Sequence, residues 1–107
     1  MTLRTEHREL IRRLTLNDER ALRNVMSGQD SDAVTLLDER TRALVRLAGL
    51  VALDSESTSL QAVRDAAWAA GAADEEIVDT VLAVAPIVGT TRIASVVPRL
   101  STILASN

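Results

Sequence analysis

The sequence predicts an all-α protein of five to six helices, and three observations support that prediction. Apolar residues recur along most of the chain at the three- and four-residue spacing of a helix. Helix-capping and helix-stopping residues separate the apolar runs, and no run alternates as a strand would. The chain has 107 residues, which suits one domain and is short for two. We therefore expect a single domain, residues 1–107, with an N-terminal helical hairpin at 1–27 and a core at 36–104.

The N-terminal part predicts two short helices. The first has an apolar face made of Leu3, His7, Leu10, Ile11 and Leu14. Asn17 suits the N-cap of a short second helix, and Gly28 suits its C-terminal stop. Residues 28–34 are expected to form a mobile loop.

A third helix is expected from Thr35 or Asp38, either of which could cap it, to about Leu53. Its apolar residues surround most of the helix, so we expect burial from several sides. They are Leu44, Val45, Leu47, Ala48, Leu50, Val51 and Ala52.

A polar stretch, residues 54–59, separates the third helix from the fourth, and Ser55, Ser57 or Thr58 could cap the fourth helix. This helix is expected to run to about Ala70 and to stop at Gly71.

The fifth helix is expected to open with Asp74, Glu75 and Glu76, whose charges favour a helix N-terminus. Pro86 should kink or end it, and residues 89–91 suggest a break before a last helix with Pro98 near its first turns. Both C-terminal helices are more apolar than a monomer of this size covers easily. Assembly into a homo-oligomer is the simplest way to bury this apolar surface. The alternative is that the two helices form a single compact core within one chain.

Composition excludes several function classes. The absence of Cys excludes thiolate chemistry and Cys-ligated metals, and a lone His at position 7 cannot build a multi-His site, so we expect neither cofactor nor metal. A net charge of −3 argues against nucleic acid as a partner. The longest uncharged run, 80–91, is shorter than the roughly 20 residues that span a bilayer. The charged N-terminus lacks an apolar signal region, so a cytoplasmic location is expected.

Two segments carry a family resemblance: "LDERTRALVRLAGLVAL" (37–53) and "DEEIVDTVLAVAPIVGTTR" (74–92). With the turn and helix between them they resemble the carboxymuconolactone decarboxylase-like family, which includes the alkyl hydroperoxide reductase D-like proteins. The resemblance covers roughly residues 36–104. It implies a small all-α chain that assembles into trimers or hexamers.

The resemblance also implies where a reactive centre would lie. The thiol-peroxidase branch has a Glu, a Cys-x-x-Cys pair and a His, which fall here on Ala43, on Glu56 and Ser59, and on Val63. All four positions are replaced, so a thiol-peroxidase mechanism is excluded. The lactone decarboxylases keep a histidine in this helix, and this chain has none there.

Five residues remain as candidates for a site. Glu56, one turn before Ser59, could act as a general base, or it could simply favour the helix N-terminus. Gln61, Arg64 and Trp68 could line one side of a ligand pocket, with Arg64 holding an acid. The alternative is a Trp68 packed at an interface and a solvated Arg64.

Arg92 is the fifth candidate, a cation between the apolar segments "IVGTT" and "IASVV". Such a cation needs a carboxylate or carbonyl partner, and Asp79 or an acid from a neighbouring subunit would serve. A structural ion pair is the alternative to ligand binding. His7 is read as a helix-face residue.

Two functional hypotheses follow. The first is an oligomeric family member without the redox centre that binds a small molecule or a partner. The alternative is a cofactor-free acid–base enzyme of decarboxylase or lactone type. It would act on a small acidic or cyclic substrate through Glu56 with Arg64 or Arg92. A helical DNA-associated regulator fits the acidic charge poorly.

Overall fold

The structure, a computed structural model, describes residues 3–27 and 36–105. These residues form six α-helices, and no strand occurs among them, so the predicted all-α class is confirmed. The chain divides into two compact units, Met1–Leu37 and Asp38–Asn107, which we call unit 1 and unit 2. Whether the two act as one domain stays a prediction.

Unit 1 contains α1 (Thr5–Thr15) and α2 (Glu19–Met26). The predicted cap at Asn17 is wrong, because Asn17 has a positive φ of 58° and ends α1 instead. Its N–H donates to the Leu14 carbonyl and that of Asp18 donates to the Arg13 carbonyl, the pattern of a Schellman motif. Asp18 then caps α2 by accepting a hydrogen bond from the Ala21 N–H at 3.0 Å.

Unit 2 contains α3 (Glu39–Ala52), α4 (Ser57–Ala69), α5 (Asp74–Val88) and α6 (Thr90–Ala105). Helix α3 packs against the other three, and α6 also packs against α4 and α5. One apolar cluster joins all four helices. Its buried members are Ala43, Leu47, Val51, Leu60, Ala67, Ala72, Ile77, Val81, Val96, Leu100 and Ile103.

Helix α3 begins at Asp38, whose carboxylate accepts from the Thr41 N–H at 2.8 Å. The cap is therefore Asp38; the other candidate, Thr35, lies outside the described residues, as do Gly28 and the predicted loop 28–34. Burial from several sides is wrong for the single chain, because Val45 is exposed and Leu44 and Leu50 are only half-buried. The buried face of α3 is the narrow stripe of Ala43, Leu47 and Val51.

Helix α3 ends in a second Schellman motif, with Asp54 at a positive φ of 52°. The Asp54 and Ser55 N–H groups donate to the Val51 and Leu50 carbonyls. The predicted hydroxyl cap of α4 is wrong, because the N-cap is Glu56, and no side chain makes the capping bond there. The N–H groups of Ser59 and Leu60 bond to the backbone carbonyl of Glu56.

Gly71, with a φ of 92°, ends α4 as predicted. At the start of α5, the Glu76 carboxylate accepts from the Ala73 N–H at 3.0 Å. Pro86 does not end α5, since the helix runs on to Val88. Pro86 lacks the N–H that would bond the Leu82 carbonyl, and the packing of α5 into the core outweighs that loss. Gly89, at a φ of 95°, is the actual stop.

Helix α6 begins at Thr90, so the predicted break at residues 89–91 is confirmed. Pro98 lies in the middle of this helix and not near its first turns. The apolar stripes of α5 and α6 are only partly covered within the chain, because Val78, Leu82 and Val97 are exposed. In the part of the chain that the structure describes, no helix is long and apolar enough to cross a membrane.

Candidate functional site

The junction between α3 and α4 is held by two arginines of α6. Arg99 donates from Nη1 to the Ser55 carbonyl at 2.6 Å and from Nη2 to the Asp54 carboxylate. Arg92 donates from Nη1 to the Ala52 carbonyl. Ser95, between the two arginines, donates from Oγ to the Asp54 carboxylate at 3.2 Å. The polar junction is thus a turn fixed onto α6.

These contacts follow from the way α3 ends. Its last turn has no basic residue, and the Schellman motif serves only the Leu50 and Val51 carbonyls. The last carbonyls of a helix carry partial negative charge and need donors. The partner of Arg92 is therefore a carbonyl, one of the two kinds of partner predicted from the sequence, a carboxylate or a carbonyl. The specific suggestion of Asp79 as that partner is wrong.

Glu56 and Ser59 lie at the start of α4 with exposed side chains. Their proximity is fixed by the backbone, since the Ser59 N–H donates to the Glu56 carbonyl at 3.1 Å. The other two positions aligned with reactive residues are packed inward: Ala43 is buried, and Val63 packs against the core. A catalytic role for Glu56 stays a prediction.

Arg64 is buried, with only 4 % of its surface exposed, so the solvated alternative is wrong. Its Nη1 donates to the carbonyl of Ile103 near the end of α6. Its Nε donates to the carboxylate of the adjacent Asp65 at 2.9 Å. The guanidinium thus joins α4 to α6, which is an internal, structural use of the side chain.

Trp68 is half-buried one turn further along α4. The Arg64 guanidinium carbon lies 4.3 Å from the centre of the Trp68 ring, a cation–π contact. The indole N–H donates to the Asp74 carboxylate at 2.6 Å, which ties the end of α4 to the start of α5. Of the predicted ligand group, the structure brings Arg64 and Trp68 together. Gln61 is exposed on α4, and Arg92 belongs to the separate α3–α4 junction.

Two apolar grooves mark the surface of unit 2, and none of the five candidate residues lines either. The α5–α6 groove has a volume of about 460 Å³ and is lined by Ala85, Gly89, Thr90, Ile93, Ala94, Val97 and Pro98. The α3–α5 groove has a volume of about 290 Å³ and is lined by Thr41, Leu44, Val45, Ala48, Thr80, Ala83, Val84 and Ile87. The uncharged run 80–91 contributes three lining residues to the α5–α6 groove and four to the α3–α5 groove.

An acidic depression lies at the N-terminal end of α5, lined by Asp74, Glu75, Val78 and Asp79. One of its acids, Asp74, is already bonded to the Trp68 indole. Among the described residues, no group of three or more His, Asp or Glu side chains has the arrangement of a metal site.

The comparisons with known proteins give one match. The model of the carboxymuconolactone decarboxylase family matches residues 20–100 of the chain. The match begins within α2 and runs to the middle of α6. No match was found among curated proteins, and none among solved structures. A family model that covers most of the chain, on an all-helical structure, is sufficient for assignment: the chain belongs to the carboxymuconolactone decarboxylase family.

Proposed function

We propose that this protein is an oligomeric scaffold that binds a small molecule or a partner protein and carries out no thiol redox chemistry. The observation that carries the proposal is the replacement of every reactive position. The chain has no Cys, and the position aligned with the reactive Glu is the buried core residue Ala43. Thiolate chemistry needs a thiolate and a nearby base, and this site supplies neither.

The uncovered apolar surface supports a binding role. The two grooves of unit 2 are lined mainly by Ala, Val, Leu and Ile side chains. Apolar concave surfaces with few polar groups are typical of ligand and partner sites. The grooves therefore offer binding area, whereas Asp54 and Ser55 of the polar junction are occupied by their contacts with α6.

The acid–base alternative has less support. It requires Glu56 to work with Arg64 or Arg92, but Arg64 is buried against Ile103 and Arg92 donates to the Ala52 carbonyl. Glu56 itself is exposed at the N-cap of α4. A general base acts from within hydrogen-bond reach of a held substrate, and neither groove includes Glu56 in its lining.

Native mass spectrometry of gently purified protein tests the proposal directly, because it reports subunit number and retained ligands together. We expect an assembly of several copies, with or without a stoichiometric extra mass. A chain that is monomeric at micromolar concentration would contradict the oligomeric part of the proposal. An extra mass that survives Glu56→Gln would support binding without catalysis.

Activity assays separate the two hypotheses. We expect no reduction of alkyl hydroperoxides with any thiol donor, since the chain has no Cys. We also expect no decarboxylation or lactone turnover of small cyclic acids. A turnover whose pH–rate profile is abolished by Glu56→Gln would favour the acid–base enzyme and contradict the scaffold.

A further inference from the structure

We draw no further inference here: the strongest candidate, the apolar α5–α6 groove beside the start of α6, carries none because nothing in the structure shows what covers it.

Discussion

Arg64 shows how a charged residue is accommodated inside so small a unit. Removal of a guanidinium from water is costly unless donors find acceptors and the charge finds a partner. Arg64 meets these needs through the Ile103 carbonyl, the Asp65 carboxylate and the ring of Trp68. Its partner Asp65 is 58 % exposed, so the charge of the pair is compensated at the surface and not in the core.

We predict that Arg64→Met destabilises the protein by about 2–3 kcal/mol. Met keeps much of the length of the side chain but has no hydrogen-bond donor, so the Ile103 carbonyl loses its charged donor. The free energy of unfolding from urea denaturation measures the effect. Trp68 is the only tryptophan, so its emission should also shift when the neighbouring cation is removed.

Two further variants show whether this cost comes from burial and geometry. Arg64→Lys keeps the charge, but an ammonium cannot donate to Ile103 and Asp65 in the same fork or stack on Trp68, so it should recover only part of the loss. Arg40→Ala removes an exposed pair with Glu76 at 3.3 Å and should have a much smaller effect. Equal losses for Arg64→Met and Arg40→Ala would contradict the structural role.

Part of the cluster around Arg64 was predictable from the sequence. The four-residue spacing of Arg64 and Trp68 placed them on one face of α4, and the structure brings them into contact. The burial of Arg64 and its bond to Ile103 were not predictable, because they depend on where α6 crosses α4, thirty-nine residues later in the chain. For the same reason, Arg92 could be expected to have a carbonyl partner but not the Ala52 carbonyl.

At the scale of the helices, two aspartates act as N-caps. Asp38 accepts from the Thr41 backbone and Asp18 accepts from the Ala21 backbone. The Thr41 hydroxyl and backbone N–H hold the pKa of Asp38 below its ordinary value, in that order of importance. The Ala21 N–H, followed by the Arg13 side chain, lowers the pKa of Asp18 in the same way. Hydrogen bonds to a charged carboxylate favour the charged form.

These shifts predict an acid-sensitive contribution to stability. A carboxylate whose pKa is lower in the folded state stabilises that state fully above its unfolded-state pKa, and the stabilisation is lost as the pH falls through the folded-state pKa. The pKa of this carboxyl in the unfolded chain is 3.8. The loss of stability should therefore begin below about pH 5 and continue to a pH below 3.8. Asp38→Asn still accepts a hydrogen bond but does not titrate there, so its melting temperature should fall less than the wild type's between about pH 6 and about pH 3. An identical fall in both proteins would contradict this role of Asp38.

Two glycines of unit 2 give opposite predictions for the same substitution. Gly89 has φ 95° and ψ 161°, a conformation that is nearly restricted to glycine, whereas Gly49 lies inside α3. A Cβ at either position would meet nothing within 4 Å, so only the backbone decides. We expect Gly89→Ala to destabilise by about 1–3 kcal/mol and Gly49→Ala to stabilise by about 0.5–1 kcal/mol. Chemical denaturation of the pair checks both, and the same sign for both would contradict the argument.

Helix positions were more predictable than helix ends. The stops at Gly71 and Gly89 were readable, because positive φ selects glycine. Asn17 and Asp54 adopt the same left-handed conformation at the ends of α1 and α3, and that use of polar residues was missed. Asn17 suits both an N-cap and a left-handed C-terminal position, and only the backbone path distinguishes them. Pro86 was expected to kink or end α5, and Pro98 was placed near the first turns of α6 instead of its middle. Packing of α5 and α6 into the core outweighs the one hydrogen bond that each proline removes.

For the whole molecule, the sequence predicted the correct family, and the predicted site followed the family's reactive positions. The family model covers residues 20–100, and its helical core is unit 2. We sought a site where family members have reactive residues, at the α3–α4 junction. In this chain that junction is held by Arg92 and Arg99, and the open apolar surface lies along α5. The α3–α5 groove forms between helices that are distant in sequence, so a helix-by-helix reading could not locate it.

The uncovered surface of α5 and α6 predicts that folding and assembly are coupled. A second copy that binds only the folded chain stabilises it by mass action, so the melting temperature of the wild type should rise with protein concentration. Differential scanning calorimetry over a hundredfold concentration range measures this rise. Leu82 is 64 % exposed, so Leu82→Glu removes little burial within the chain. It places a charge on the uncovered apolar surface and should therefore flatten the concentration dependence of the melting temperature. A concentration-independent melting temperature for the wild type would contradict the proposed assembly.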